Sequence, residues 1–358
     1  MSNTFWVFLG FLVLAGSGVA FSQTQAPGTA PPKRYPWDKR PPECFLPDTK
    51  PSQQCTADDW PNYADTKWRV DHLILDPDFD LLQRAENELG FSDKRFASGQ
   101  YYFDAWFLSL DSVLALPTEL VYRSVSGWAK AKGGDGYVKL AEARLRYSEA
   151  WNARGRGFPN TVTPEGWDIY QRKLREANQA LDSGSDRLKR TGPWYVMKLR
   201  VAYQLPELEG SREELLAAGS RLWPEYTKIY ATAMAFSSPT WGGTFEEVDR
   251  IARFAVEKTK ATWGASWYPL VYQEMFRSGC DCTVAESEAD WDLMKRGFRD
   301  YEARGHANEG YLRAFASLAC TMRDRPEARR LLELGDKLSP NRPAGPPDPC
   351  REFAFSTT

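Results

Sequence analysis

Histidine is nearly absent from this chain: of its 358 residues, only His72 and His306 are histidines. Two histidines exclude a three-histidine zinc site, and they do not form the H-E-x-x-H pattern of zinc proteases. A Ser-His-Asp or Cys-His catalytic system would need one of them, and neither lies near a G-x-S-x-G motif. We therefore expect both histidines on the surface or in loops, and predict no catalytic residue, metal ligand or cofactor.

The chain also lacks an excess of charge of one sign. Its 46 Lys and Arg and 48 Asp and Glu are interspersed and give a formal net charge of −2. This excludes the electrostatic footprint of a nucleic-acid-binding protein. The glycine pair Gly242-Gly243 is not followed by G-K-[ST], so a phosphate loop of the Walker type is excluded as well.

Runs of alternating Val, Ile and Thr, which mark β-strands, are missing. Apolar residues instead recur at helical spacing, which predicts an all-α chain. The stripes comprise Trp291, Met294, Phe298 and Tyr301; Trp167, Tyr170, Leu174, Ala177 and Leu181; Tyr137, Leu140, Tyr147 and Trp151; and Phe79, Leu82 and Leu89.

Residues typical of helix ends separate these stripes. Thr163-Pro164 predicts a capped helix start with Pro at the first helical position. Thr244 to Glu247 has the T-x-x-E pattern of a capping box. Gly155 is suited to end the preceding helix, and Ser339-Pro340 to stop the last one.

The amino-terminal segment has no Lys or Arg before Lys33, so the positive region that usually opens a signal peptide is missing. Phe5 to Ala15 is nevertheless an apolar run of the right length, and Ala20-Phe21-Ser22 fits a cleavage site. We predict a signal peptide at 1–22 and a periplasmic or secreted protein. The alternative is an uncleaved anchor in the inner membrane with the chain facing the periplasm.

Proline separates this segment from the helical part of the chain. Eight prolines between Pro27 and Pro51 predict a stiff, extended linker over 23–57. The helical stripes predict a helical-hairpin domain over 58–340, and further prolines predict a Pro-rich C-terminal tail at 341–358.

Six cysteines, an even number behind a signal peptide, predict disulfides rather than a metal site. Cys44 and Cys55 are expected to form a local pair. The closely spaced Cys280 and Cys282 are expected to reach Cys320 and Cys350. Zinc is the alternative, but C-x-C lacks the usual spacer.

The segment Glu309 to Pro340 is similar to one tetratricopeptide repeat. With Pro340 as repeat position 32, small residues occur where the two helices of that repeat cross. The residues that match the small and large positions of the repeat are Leu312, Phe315, Ala316, Ala319, Ala328, Leu332 and Gly335. No strict 34-residue period runs through the rest, so we predict irregular tetratricopeptide-like hairpins stacked as a short solenoid or compact bundle.

Two glycine-rich corners are the candidate binding residues. In AWNARGRGFPNTVTPEGW, Arg154 and Arg156 precede the capped helix that carries Trp167. They are interpreted as a solvated interhelix turn or as an anion site at that helix start. In SSPTWGGTFEEV, Trp241 is interpreted as a packing residue at a hairpin corner or as the mouth of a groove.

Three stretches carry a resemblance to a known family: WNARGRGFPNTVTPEGW, SPTWGGTFEEVDRIARFA and FASLACTMRDRPEARRLLEL. They resemble bacterial helical proteins catalogued as domain of unknown function 4034. The similarity covers Arg69 to Pro340, and SPxWGG is its most specific element. It implies tetratricopeptide-like helices and no established activity. The apolar start, the Pro-rich linker and the extra cysteines depart from the family.

Two functions remain open from the sequence. The favoured one is an exported scaffold that binds a protein or peptide partner. The alternative is a glycan-binding or glycan-hydrolysing protein, which would need exposed Trp faces and two carboxylates about 5–10 Å apart. Candidate carboxylates that the sequence does not rank are Asp104, Glu165, Glu246 and Glu247.

Overall fold

The computed structural model describes residues 63–96, 99–133, 136–155, 157–277, 283–304, 309–340 and 348–356. Within these ranges the chain is helical and forms no strand beyond an isolated bridge between Arg95 and Tyr101. The predicted all-α fold is confirmed. In chain order the helices are α1 (Tyr63–Leu75), α2 (Phe79–Ala85), α3 (Tyr102–Val113), α4 (Glu119–Lys132), α5 (Tyr137–Arg154), α6 (Pro164–Asp182), α7 (Asp186–Lys189), α8 (Gly192–Ala202), α9 (Arg212–Leu222), α10 (Thr227–Phe236), α11 (Phe245–Trp263), α12 (Trp267–Arg277), α13 (Trp291–Ala303), α14 (Glu309–Thr321), α15 (Arg325–Leu338) and α16 (Pro349–Phe355).

The helix starts predicted at the two corners are present. The Thr163 hydroxyl accepts a hydrogen bond from the Gly166 amide at 3.1 Å, and Pro164 is the first residue of α6. The Thr244 hydroxyl accepts from the Glu247 amide at 3.1 Å at the start of α11. Each cap satisfies an amide that has no partner within its helix.

The apolar stripes face the interior as predicted. Met294, Phe298 and Tyr301 of α13 are buried, as are Leu174 and Leu181 of α6. The segment similar to a tetratricopeptide repeat forms a hairpin of α14 and α15, and all seven residues at repeat positions are buried there. The structure therefore confirms packed helical hairpins.

Most contacts join helices that are close in sequence. The chain packs α5 on α6, α8 on α9 and α10, α11 on α12, and α14 on α15. The central element is α8, which buries ten of its eleven residues and contacts α3, α5, α6, α7, α9 and α10. Because it is covered on all sides, α8 has no amphipathic stripe of its own.

A short helix lies in the segment predicted as a Pro-rich tail. Asp348 accepts hydrogen bonds from the amides of Cys350 and Arg351 and caps α16, which packs on α14 and α15. This packing brings Cys350 to Cys320, and the two form a disulfide with a Cα–Cα distance of 5.5 Å.

The pairing of Cys320 and Cys350 with Cys280 and Cys282 is therefore wrong. The sequence did not reveal the α16 cap that returns Cys350 to the α14–α15 hairpin. Cys44, Cys55, Cys280 and Cys282 lie outside the described residues, as do 1–22 and the linker 23–57. Among the helices of the described ranges, none is long and apolar enough to span a membrane.

Candidate functional site

The structure brings the two glycine-rich corners together, although some ninety residues separate them in sequence. Trp151, at the end of α5, meets Trp241 with ring centroids 5.6 Å apart and planes at 88°. It also meets Tyr170 of α6 at 5.6 Å, and Tyr170 contacts Trp167 at 5.5 Å. Such perpendicular ring pairs are favourable because the edge of one ring meets the face of the other.

The cluster continues onto α10 and the end of α8. Phe236 contacts Trp241 at 5.1 Å and stacks on Tyr203 at 5.8 Å. We call this cluster the aromatic corner and define it as Tyr147, Trp151, Arg154, Trp167, Tyr170, Tyr203, Phe236 and Trp241. The ends of α5, α8 and α10 and the start of α6 meet here, because α8 packs on α5, α6 and α10.

Two glycines place Trp241 at the corner, each for its own reason. Gly242 has φ +85°, which turns the chain after the short 3-10 turn Pro239–Trp241. A Cβ built on Gly243 would lie 2.1 Å from the Ser237 carbonyl oxygen. Only glycine fits both positions at low cost, so the backbone folds back tightly beneath Trp241.

Arg154 is the cation that contacts the tryptophans of the corner, while Arg212 lies 5.0 Å from the Tyr203 ring centroid. The guanidinium carbon of Arg154 lies 5.1 Å from the Trp151 ring centroid and 5.4 Å from that of Trp167. Its Nη1 donates to the carbonyls of Gly155 at 3.2 Å and Gly157 at 3.1 Å. No carboxylate of the described residues lies within ion-pair distance, so its remaining N–H groups are available to a partner.

The sequence interpretation of Arg154 as part of a solvated turn is therefore incomplete, because this side chain is half-buried and holds its own loop. Arg156, the other predicted arginine, lies outside the described residues. Of the four predicted binding residues, Arg154, Trp167 and Trp241 thus share one surface.

The side chain of Gln204, which sequence reasoning missed, forms hydrogen bonds with two tyrosines of the corner. Gln204 accepts a hydrogen bond from the Tyr170 hydroxyl, and its Nε2 donates to the Tyr147 hydroxyl and the Arg200 carbonyl, both at 2.7 Å. Burial raises the pKa of Tyr170, so its hydroxyl remains a donor. Nothing in the local sequence marks Gln204, whose role depends on contacts with two other helices.

An ion network lies behind Tyr147. Arg200 donates to Asp111 Oδ1 at 2.6 Å, and Arg144 binds the same carboxylate while lying 5.7 Å from the Tyr147 ring. Burial opposes ionisation of Asp111, but Arg200 and Arg144 outweigh it and hold its pKa far below the ordinary value. Two arginines share one carboxylate, so these three side chains together carry one net positive charge.

The corner is a surface and not an enclosed core. Tyr170 is buried, whereas the other six rings are half-buried, and Phe158 in the adjoining loop is 60% exposed. The indole nitrogen of Trp151 is buried and has no hydrogen-bond partner, so this ring offers its apolar part to the surface. Half-exposed Trp and Tyr rings beside a cation form a rigid face that combines apolar area with polar edges.

The four candidate carboxylates have different surroundings. Asp104 is buried, accepts from the hydroxyls of Tyr63 and Tyr226, each at 2.8 Å, and lies 3.5 Å from Lys228. Glu165 and Glu246 are exposed in the first turns of their helices. Glu247 lies 3.9 Å from Arg250. Asp104 is thus buried and hydrogen-bonded, whereas the three glutamates lie at helix starts.

The described ranges contain no group of three or more side chains able to hold a metal ion. His72 lies exposed on α1, where its ring packs 4.0 Å from that of Trp68 and its Nδ1 bonds the Trp68 carbonyl. His306 lies outside the described residues.

Comparison with protein families, with curated proteins and with solved structures finds no match to this chain.

Proposed function

We propose that this chain is an exported interaction scaffold that binds a protein or peptide partner at the aromatic corner. The observation that carries the proposal is that Trp151 and Trp167 both contact the guanidinium of Arg154, which has no ion pair within the described residues, and that Trp241 packs edge-on against Trp151. Trp, Tyr and Arg dominate the energetics of protein interfaces because they combine large contact area with few rotatable bonds or several donors.

The charge of the corner favours a partner segment with a carboxylate beside apolar side chains. Arg154 has unused donors, and the Asp111 network leaves one arginine charge uncompensated nearby. A carboxylate accepts charge-assisted hydrogen bonds from such donors, and apolar side chains cover the indole faces. Export is supported by the Cys320–Cys350 disulfide, because disulfides persist in oxidising compartments. The resemblance to domain of unknown function 4034 supports repeat-like hairpins and assigns no activity.

Site-specific photocrosslinking in the native host tests the location. A photoreactive phenylalanine analogue replaces Phe158, 60% exposed beside the corner, or Leu116, 70% exposed after α3. We expect a discrete adduct from position 158 and none from position 116, and mass spectrometry then identifies the partner. Equal labelling from both positions, or no adduct at 158, would contradict the proposal.

Binding of the identified partner to purified variants tests the residues. Trp241→Ala and Arg154→Gln should each weaken binding about tenfold or more, as expected for interface anchors. Trp68→Ala removes a tryptophan that is 41% exposed on α1, and it should leave binding unchanged. Equal affinity of wild type and both corner variants would remove the corner from the interface.

Glycan binding is the second candidate, and the half-exposed indole faces of the corner favour it. Sedimentation with insoluble peptidoglycan, chitin and cellulose distinguishes the two. Retention that Trp167→Ala and Trp241→Ala abolish would support a glycan surface. Retention without release of reducing ends would indicate binding alone.

A further inference from the structure

A second surface site lies at the opposite end of α8 from the aromatic corner. It is an open cavity of about 310 Å³ between the α7–α8 connection and the end of α9. An eleven-residue helix spans roughly 16 Å, so the two sites are separate. The residues that line the cavity are Phe91, Arg187, Arg190, Thr191, Leu222 and Trp223.

The floor of the cavity is apolar and rigid. Trp223 packs edge-on against Phe103 at 4.8 Å, and its indole nitrogen donates to the Arg190 carbonyl at 2.7 Å. Leu222 is 37% exposed at the rim, where an apolar ligand would cover it. The Trp223 ring and the Leu222 side chain can therefore contact the apolar part of a small ligand.

The wall of the cavity is cationic. Arg187 lies 3.8 Å over the Phe91 ring, and Asn87 accepts from its Nη1 at 3.1 Å, which fixes the guanidinium in place. Neither Arg187 nor Arg190 has an acidic partner among the described residues. The neighbouring acid Glu225 is held by Arg95 at 2.8 Å and does not neutralise them.

A third arginine extends the positive field. Burial raises the pKa of Tyr195, while the positive charges of Arg221 and Arg190 both act to lower it, so the two arginines contribute to the field at one hydroxyl. Arg221 is exposed and has no ion pair within the described part of the chain. Among the described residues, most of the other arginines form an ion pair with Asp or Glu, although Arg154 and Arg296 are further exceptions.

We propose that this cavity binds a small organic anion, one with a phosphate or carboxylate group on an aromatic or apolar body. Guanidinium groups recognise such oxyanions through paired hydrogen bonds, and the apolar floor accepts the body. The cavity volume is at the lower end of the range for small-molecule sites, about 300–1,000 Å³. This site is independent of partner binding at the aromatic corner.

Calorimetric titration of the purified chain tests the chemistry with phenyl phosphate, benzoate, inorganic phosphate and phenol. We expect phenyl phosphate or benzoate to bind at one site per chain, with affinity that falls as salt is added. Inorganic phosphate should bind about tenfold more weakly, and phenol more weakly still, because each lacks half of the recognised groups. Equal binding of phenol and phenyl phosphate, or no heat from either organic anion at millimolar concentration, would overturn the proposal.

A pair of double variants tests the location. Arg187→Gln with Arg190→Gln should lower the affinity for the better-binding anion about tenfold or more and leave the melting temperature of the free protein nearly unchanged. Arg123→Gln with Arg329→Gln removes the same charge from side chains that are 70% and 56% exposed elsewhere, and it should bind as wild type does. Equal loss in both double variants would mean that only net charge matters, and unchanged affinity in the first would place the ligand elsewhere.

Discussion

The backbone of the aromatic corner depends on two single glycine residues. Gly242 and Gly243 are adjacent, yet each position needs glycine for a different reason. Gly242 has a positive φ, although a Cβ there would meet open space. At Gly243, a Cβ would collide with the backbone of Ser237. The sequence predicts that this pair needs the conformational freedom of glycine. It does not reveal which glycine has the positive φ and which meets the backbone, because the approach of Ser237 depends on how α10 ends.

Substitution of these glycines should separate the two constraints. Gly243→Ala should cost about 3 kcal/mol or more of the free energy of unfolding, because backbone atoms must move to admit the Cβ. Gly242→Ala should cost roughly 1–2 kcal/mol through left-handed strain alone. Urea denaturation measures both, with Gly210→Ala as a control at an open position without positive φ. A larger loss at Gly242 than at Gly243 would show that the corner backbone is placed differently.

Ionisation of Asp111 makes the free energy of unfolding depend on pH. The pKa of Asp111 is held far below the ordinary value by Arg200 and Arg144. The stabilisation is therefore fully present above the unfolded-state pKa of about 4 and is lost as pH falls below it. Asp111→Asn should cost about 2–4 kcal/mol near neutral pH, because two arginines lose their shared partner.

The pH profile of that variant provides the check. Between about pH 4 and pH 2, the unfolding free energy of wild type should fall more steeply than that of Asp111→Asn. Asp292→Asn, whose carboxylate is 88% exposed, should follow wild type throughout. Parallel slopes for wild type and Asp111→Asn would mean that the carboxylate is not ionised by its arginines.

At the scale of elements, local sequence predicts helix starts well and helix partners poorly. Thr163 and Thr244 act as caps within their own segments, so the sequence reveals them. The start of α5 is different, because the Tyr137 amide donates at 2.9 Å to Glu86, a buried residue of the π-helical turn Glu86–Gly90. No pattern near residue 137 indicates a partner so far away in sequence.

The helix α16 shows the same limit and yields a prediction. The Cys320–Cys350 bridge closes a loop with a sequence separation of 30, and replacing both cysteines by serine should cost about 3–4 kcal/mol in the chain-entropy model. Hydrogen exchange should rise most in α16, where Arg351 still pairs with Asp336 at 2.8 Å and retains part of the docking. Unchanged exchange in α16 would show that its packing does not need the bridge.

For the whole molecule, the neighbour-to-neighbour packing makes stability uneven along the chain. The central helix α8 packs against six other helices and is almost wholly buried, whereas α16 packs mainly on α14 and α15. We expect amides of α8 to exchange only through global unfolding and those of α16 through local opening. Native-state hydrogen exchange measures this, and protection of α16 equal to that of α8 would indicate a single cooperative unit.

The fold class followed from the sequence because helical periodicity is a local property. Trp167 and Trp241 were also visible, each beside its own glycines. Their meeting through Trp151 was not, because it depends on the packing of α5, α6, α8 and α10, which no single stretch encodes. The arginine-lined cavity was missed for the same reason: Phe91, Arg187 and Trp223 come from three distant segments.

The position of the disulfide also fixes an order of events during synthesis. Cys320 leaves the ribosome before Cys350, and every helix from α1 to α15 precedes Cys350 in the chain. Since domains emerge from their amino-terminal side, the α14–α15 hairpin has its full length before its oxidation partner arrives. The bridge can therefore form only after the whole α14–α15 hairpin has been synthesised.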